Sequence, residues 1–531
     1  MLSTNQNELC AASETPPTLR YYQQNFILDI YAQIRAGIRR ILGFSPTGSG
    51  KTVLAAQVAA HAASKNKRVL FVVHRETLIA QTADKLSSFG LNDCGFIKSG
   101  WQENRKALVQ IASVQTLERR DWWQELKVDI VILDEAHLTA FAAIVTKMMA
   151  EIFPQAIYLG LTATPWRLSK KESLGDIFER LVAAPMPHEL ISSGFLVKPD
   201  YFSPNQADLE KVGTAVNGDF NEGQLALACD RQELSEQMVR DWHNLAFARR
   251  TIAFTVNVAH ARNLADAFME AGIPSAYVDG KMPYKSVEQI YQQLADGELM
   301  ILCSCMKLTE GFDLPSTSAI ILARPTKSKA LHFQMIGRGL RLSPETNKTD
   351  CIVIDIAGNV MRHGFVEDIK EISMEPGYEG TGGDEAPKKI CPIEQKGCGK
   401  ILYAFMMKCP ECGYVFEQPK KVYLVPGLEQ LLSESDIERY EFYRQSLRSA
   451  YDKNFAPGWA AMTFKERYGY WSPNSWSKGA IFGTKPTPEQ QSNYLKYLQA
   501  IAQRKEKPLE WVQKQMELEF GLGQVTQSHL E

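Results

Sequence analysis

Arg39-Arg-Ile-Leu-Gly-Phe-Ser-Pro-Thr-Gly-Ser-Gly-Lys-Thr52, running into Val53-Leu-Ala-Ala-Gln-Val-Ala-Ala60, decides the fold of this 531-residue chain. An apolar, strand-like run from Arg39 to Phe44 breaks into a loop with two glycines, and a helix rich in Ala and Val follows. Strand, glycine loop and helix in that order are the context a phosphate-binding loop requires, because glycine lets successive amides turn inward onto anionic oxygens at a helix N-terminus. Thr47, Gly48, Ser49, Gly50, Lys51 and Thr52 are therefore candidates for holding a nucleoside triphosphate. Lys51 can reach the β and γ phosphates, and the Thr52 hydroxyl can bind Mg²⁺. Ser45 stands where Gly or Ala is usual, a departure that leaves Gly50-Lys51-Thr52 intact. The competing reading is an ordinary turn before a helix.

Outward from this loop, short β-branched runs alternate with amphipathic stretches: Arg68 to Val73, Val109 to Ala112, Val128 to Leu133 and Ala156 to Leu161. Alternation of that kind predicts a parallel, doubly wound sheet. The pattern resumes with Thr251 to Phe254, Ser275 to Val278, Leu299 to Cys303, Ala319 to Leu322 and Cys351 to Ile354, so two α/β lobes are expected. Asp134-Glu-Ala-His137 ends one of the strands of the first lobe, which puts its carboxylates at the carboxyl edge of a parallel sheet, where ligands bind. Asp134 suits Mg²⁺, and Glu135 suits the orientation and deprotonation of an attacking water. The bland alternative is a strand end leading into a helix, whose first turn favours acids.

The boundaries read from these patterns are an N-terminal tail over 1–18, lobe one over 19–190, and a connector with lobe two over 191–374. A linker over 375–390, rich in Gly, Glu and Pro, follows, then a cysteine module over 391–416 and a helical region over 417–531. The clearest helix of that last region starts at Thr487-Pro488, a hydroxyl cap before a first-turn proline, with Tyr494, Leu495, Leu498, Ile501 and Ala502 on one face.

Composition excludes several classes. With 59 Lys and Arg against 61 Asp and Glu, the net charge of −2 leaves no global basic signature, so any nucleic acid has to be held by a local groove. No apolar run approaches the roughly 20 residues that span a bilayer, and the first 17 residues lack the charged start and apolar stretch of an export signal. Ten cysteines in so long a chain are too few for a disulfide scaffold and fit reduced thiols in a cytoplasm.

The motifs in order resemble those of superfamily two helicases of the DEAD/DEAH-box kind, over about Leu19 to Ile356. Leu19-Arg-Tyr-Tyr-Gln23 is similar to the element in which Gln23, with Arg20, recognises adenine. Leu161-Thr-Ala-Thr-Pro165 is similar to the element coupling hydrolysis to motion, and Thr309-Glu-Gly-Phe-Asp313, with Gly311 and Asp313, to one that touches nucleotide and nucleic acid. Gln334-Met-Ile-Gly-Arg-Gly-Leu-Arg341 resembles the element whose arginines, here Arg338 and Arg341, act as fingers on the γ phosphate. Helical spacing predicts one face for Gln334, Arg338 and Arg341, and a solvated helix surface is the competing reading. Ala323-Arg-Pro-Thr326, Gly337-Arg-Gly-Leu-Arg-Leu342 and Asp355-Ile-Ala-Gly-Asn359 look like RadD-type bacterial DNA-repair helicases and related phage helicases.

The resemblance implies two tandem RecA-like lobes, ATP and Mg²⁺, and a nucleic-acid partner, DNA favoured over RNA, with repair or replication proteins as further partners. It also implies phosphate rather than base contacts from His74, Arg75, Ser113, Gln115, Thr116, Thr255 and Thr309, although Ser113 and Thr116 could equally cap a helix. The alternatives are the motor of a restriction-type system, an RNA helicase, and a nucleotide-gated scaffold that no longer hydrolyses ATP.

Cys391-Pro and Cys398-Gly are followed by Cys409-Pro-Glu-Cys412-Gly, and four thiolates so grouped can close a structural Zn²⁺ site, a small zinc-ribbon-like module. The competing reading is reduced surface cysteines. Phe464-Lys-Glu-Arg-Tyr-Gly-Tyr-Trp471 and Trp476-Ser-Lys478 interleave aromatic and basic residues in a way that could stack bases, although a packed core is the commoner use of such rings.

Overall fold

The computed structural model describes residues 17–521 apart from 75–77, 102, 139–140, 165–172, 216–217, 306–313, 376–385, 417–433 and 484–485. Thr309, Gly311, Asp313, Arg75 and Pro165 therefore lie outside the described residues. The chain divides into two compact units, 1–416 and 417–531.

Lobe one opens with helix α1 (Tyr21–Arg35) and continues through β1 (Arg40–Phe44), α2 (Lys51–Ser64), β2 (Val69–Val73), α3 (Leu78–Ser87), β3 (Cys94–Ile97), β4 (Val109–Ser113), α4 (Val114–Glu118), β5 (Ile130–Asp134), α5 (Ala142–Lys147), β6 (Ile157–Thr162) and β7 (Arg180–Ala183). Its strands form one seven-stranded sheet in the order β3-β4-β2-β5-β6-β1-β7, every neighbouring pair parallel. Val69 to Val73 is buried at every position, as expected of a strand covered by helices on both faces. After α6 (Pro187–Ser192), lobe two comprises β8 (Lys198–Phe202), α7 (Glu222–Cys229), α8 (Gln232–Ala246), β9 (Thr251–Phe254), α9 (Val258–Glu270), β10 (Ser275–Val278), α10 (Tyr284–Asp296), β11 (Ile301–Ser304), β12 (Ala319–Leu322), α11 (Lys329–Gly337), β13 (Asp350–Asp355) and α12 (Asn359–His363). Its six-stranded sheet, β10-β11-β9-β12-β13-β8, is also parallel throughout.

Two sequence expectations change. The 375–390 segment does not stay linker to its end, because Lys388–Ile390 forms strand β14, paired antiparallel with β15 (Ile401–Tyr403) of the cysteine module. That module is fastened to the edge of lobe two: the Ser203 amide donates to Gly399 O (2.8 Å), Lys400 pairs with Asp200 (2.8 Å), and the Tyr403 hydroxyl donates to Asp368 (2.6 Å). Strands β3, β7 and β8 are not among those expected from the apolar runs. β8 holds Pro199 and Asp200 and lies at a sheet edge, where proline is tolerated.

The second unit contains α13 (Glu434–Asp452), α14 (Gly458–Tyr468), α15 (Pro488–Arg504) and α16 (Leu509–Phe520). Thr487 caps α15 by accepting the Gln490 amide at 3.2 Å, and Tyr494, Leu498, Ile501 and Ala502 are buried against Val512, Met516 and Phe520 of α16.

Gly160 in β6 shows how tightly lobe one is filled, since a Cβ there would sit 2.3 Å from Phe178 Cζ and 2.9 Å from Ala136 Cβ. Overpacking of that kind costs about 1–3 kcal/mol. Gly160→Ala should destabilise the fold by that amount in denaturant titration, whereas Gly280→Ala, with nothing within 4 Å of the added carbon, should change it by less than about 0.5 kcal/mol.

Candidate active site

The loop between β1 and α2 is held from three sides. The Ser45 amide donates to Thr162 O at the end of β6 (2.9 Å). Ser49 Oγ donates to Pro46 O (2.5 Å), so Ser45 Oγ must donate to Ser49 Oγ (2.6 Å), and the buried hydroxyl at the unusual first position is satisfied within the loop. Tyr22 Oη (2.7 Å) and Gln23 Nε2 (2.9 Å) both donate to Ser49 O. Gly48 (φ 88°) and Gly50 (φ 92°) take left-handed backbone, which turns successive amides into a concavity suited to an anion. Gly50 is also the residue preceding α2, so Lys51 and Thr52 occupy that helix's first turn.

Lys51 Nζ hydrogen-bonds Glu135 Oε1 directly and lies 3.7 Å from Asp134 Oδ1. Glu135 adopts left-handed backbone (φ 57°), sparse for a residue with a side chain, directly after the last residue of β5. Burial pushes the Asp134 carboxyl above its ordinary range against the pull of Lys51. At Glu135 burial acts the same way, but the charges of Lys51, His137 and Arg338 together outweigh it and hold the carboxylate low. The residues fit Mg²⁺ and a triphosphate: left-handed glycines, one ammonium and two carboxylates lie together at the N-terminus of α2, whose first turn also carries Thr52.

His137 was not singled out by sequence reasoning. Its Nδ1 lies 2.9 Å from Thr162 Oγ1, whose proton goes to Thr164 O (2.8 Å), so Nδ1 carries a proton and donates to Thr162. The Asp134–His137 turn and the Thr162–Thr164 segment are thereby joined, both against the loop. Tyr22 was missed as well, although it sits beside Gln23. Arg20 donates to Phe195 O (3.2 Å) and lies over the Phe195 ring, against which Tyr22 also packs.

Lobe two closes directly onto this loop. A Cβ on Gly337 would meet Thr47 Cβ at 2.3 Å, and one on Gly48 would meet Arg341 Cγ and Gly337 O at 3.3 Å. The seam, lined by Pro46, Thr47, Leu196, Gly337 and Leu340, leaves a void of about 10 Å³, at the lower limit for one water. The common helical face expected for Gln334, Arg338 and Arg341 is corrected: α11 ends at Gly337 with Arg338 as its C-cap, and Arg341 lies beyond it, bridged antiparallel to Leu196. Gly339 explains the break, since its missing side chain lets the backbone approach Cys351 Sγ and Ile320. Gln334 remains on the helix and is buried. Arg341 stays against the loop at Gly48, and Arg338 stays within electrostatic reach of Glu135.

Three of the expected nucleic-acid contacts are corrected. Ser113 and Thr116 form a reciprocal cap on α4, with Ser113 N donating to Thr116 Oγ1 (2.9 Å) and Thr116 N to Ser113 Oγ (3.3 Å), and both are buried. Thr255 is fully buried. His74 is also buried, and Gln115 is half-buried.

The four Sγ atoms of Cys391, Cys398, Cys409 and Cys412 lie within 4.8 Å of one another, with 3.6 Å between Cys391 and Cys412 and between Cys398 and Cys409. A tetrahedral Zn–S₄ centre with ~2.3 Å bonds requires sulfurs about 3.8 Å apart. The Tyr414 amide favours the thiolate of Cys412 and draws it down to about 7. The cluster could hold a metal. Among the described residues no helix is long and apolar enough to cross a membrane.

Comparison with known proteins adds family to geometry. Residues 17–167 match the model of the Type III restriction enzyme, res subunit, and residues 232–343 that of the helicase conserved C-terminal domain. A Saccharomyces cerevisiae protein named provisionally as the ATP-dependent helicase IRC3 is 30% identical over 368 residues, 64% of this chain, which spans about half (52%) of that protein. A Sulfurisphaera tokodaii protein named DNA 3'-5' translocase XPB2 is 24% identical over 343 residues, 56% of this chain and 73% of its own. A solved fragment from Vibrio vulnificus, provisionally an HsdR subunit of a type I restriction enzyme, shares the fold at TM-score 0.51 and 21% identity, covering 65% of this chain and 67% of that one. The two matched segments are the two lobes that meet at Thr47 and Gly337, so the chain belongs to the superfamily two helicases, the ATP-hydrolysing helicases and translocases.

Proposed function

We propose that this motor runs on DNA, in repair, recombination or replication, and that the contact of Gly337 with Thr47 carries the reading. It sets the two arginines of lobe two against the loop that holds phosphates. In this reading Gln23 and Arg20 bind the base, and the amides of Thr47 to Thr52 cradle the phosphates, with Lys51 on the β and γ groups. Thr52 and Asp134 hold Mg²⁺, which neutralises charge on the phosphates. Glu135 orients the attacking water and takes its proton, and Arg338 and Arg341 stabilise charge on the γ phosphate when the lobes close, with Gln334 beside them. Gly311 and Asp313 are assigned to nucleotide contacts by resemblance alone. His137 and Thr162 carry the change at Glu135 to the Thr162–Thr164 segment. The track is DNA because a relative is named a DNA 3'-5' translocase.

Zn²⁺ on the four cysteines is structural, with no position left for water, and holds the module against the edge of lobe two. Thiolates of this kind persist in a reducing cytoplasm. A second reading, the motor of a restriction-type system, is favoured by the match of residues 17–167 and is separated from the first by whether the chain cuts DNA in Mg²⁺.

Lys51→Ala should abolish ATP binding or turnover. Glu135→Gln should keep ATP binding and lose at least about a hundred-fold in turnover, because only water activation is removed. Wild-type turnover should rise on adding DNA more than on adding RNA, and equal rates with and without any nucleic acid would sink the motor reading. Purified protein should carry one zinc per chain by elemental analysis. Cys409→Ser should lose it and expose the edge of lobe two to protease, and a metal-free protein with unchanged proteolysis would contradict the zinc assignment.

A further inference from the structure

In the second unit, the stretch of interleaved aromatic and basic residues separates into a buried set and an exposed set. Phe464 is fully buried, and Trp476 packs edge-on against it (5.7 Å, 86°) and against Tyr440, so Trp476 takes the packing role that is the commoner use of such rings. The neighbouring Ser477 hydroxyl is also buried, 3.1 Å from Tyr443 Oη.

Tyr470 and Trp471 are different. Helix α14 is capped by Gly469, whose left-handed backbone (φ 81°) and amide bond to Lys465 O (2.8 Å) turn the chain, and Pro473 follows four residues on. The turn leaves Tyr470 43% and Trp471 54% exposed. Exposed rings of that size, side by side, are uncommon without a partner. Tyr470 is held edge-on by Phe464 (5.6 Å, 82°), so it does not collapse onto the core. Cations sit over these rings: Lys465 Nζ lies 4.4 Å from the centre of Trp471, and the Arg439 guanidinium lies 5.8 Å from Tyr470 and 5.7 Å from Tyr468. Arg467 covers Phe442 at 4.1 Å. Between Arg439 and Lys478 the chain has seven lysines and arginines against three acids, in a protein whose overall charge is −2.

We propose that Tyr470 and Trp471, flanked by Lys465 and Arg439, form a stacking platform for single-stranded nucleic acid on the helical C-terminal unit, separate from the two lobes. The occupant follows from the chemistry. Flat faces accept bases of any sequence, and the cations beside them accept the phosphates that join those bases; an apolar protein partner would not call for the excess positive charge. The platform gives the motor a second grip on its track, and this inference rests on the nucleic-acid reading above.

The test uses the full chain and a labelled oligothymidylate, with affinity read by fluorescence anisotropy. Trp471→Ala should weaken binding about five-fold or more, the range expected for losing one base stack, while Trp471→Phe keeps most of the affinity. Lys465→Gln should lower the salt dependence by about 0.7 of a counterion. ATP turnover without nucleic acid should not change in any of these variants. If wild type binds and Trp471→Ala and the Tyr470→Ala/Trp471→Ala pair bind equally well, the platform is overturned and the rings serve another partner. If wild type shows no affinity for the oligomer, the motor reading falls and the platform falls with it.

Discussion

The close approach of Gly337 to Thr47 is the constraint on which the rest of unit 1–416 depends. Any side chain at 337 would collide with the phosphate-binding loop, so glycine there lets the arginine-bearing segment of lobe two seat against lobe one. The seam around it is apolar and nearly void-free, and packed seams of that kind have discrete open and closed arrangements rather than a continuum. A bistable seam beside a charge-stabilising site is what a motor requires, because nucleotide chemistry can then bias the position of a whole lobe.

The acidic turn lies beside that loop and is tied to the segment after β6. Glu135 is held in uncommon backbone beside Lys51, and its neighbour His137 is tied to Thr162, which is tied in turn to Thr164. Ser45 hangs from the carbonyl of the same Thr162. The loop, the acidic turn and the segment after β6 therefore meet at Thr162.

Much of this was legible in the sequence because the decisive elements are local. The loop, the acid pair and the interior strands are contiguous, and fully buried parallel strands announce themselves as apolar runs. What escaped was set by tertiary context. β8 reads as polar because Pro199 and Asp200 are acceptable at an edge, and Asp200 is answered by Lys400 from the cysteine module some two hundred residues on. The helix expected to carry Arg341 stops early because Gly339 packs against Cys351 and Ile320. Ser113 and Thr116 have the residue types of phosphate contacts, yet their geometry spends both hydroxyls on a cap. Tyr22 and His137 were passed over because nothing in a tyrosine or a histidine alone shows that it will bond Ser49 O or Thr162 Oγ1.

The account turns on a site completed across two lobes, and its most direct test is ATP turnover by Arg338→Ala, measured alongside binding of a fluorescent ATP analogue. The guanidinium acts on Glu135 from the other lobe, so turnover should fall at least about a hundred-fold while analogue affinity stays within a few-fold of wild type. Turnover at the wild-type rate would show that lobe one hydrolyses ATP unaided, and would contradict the claim.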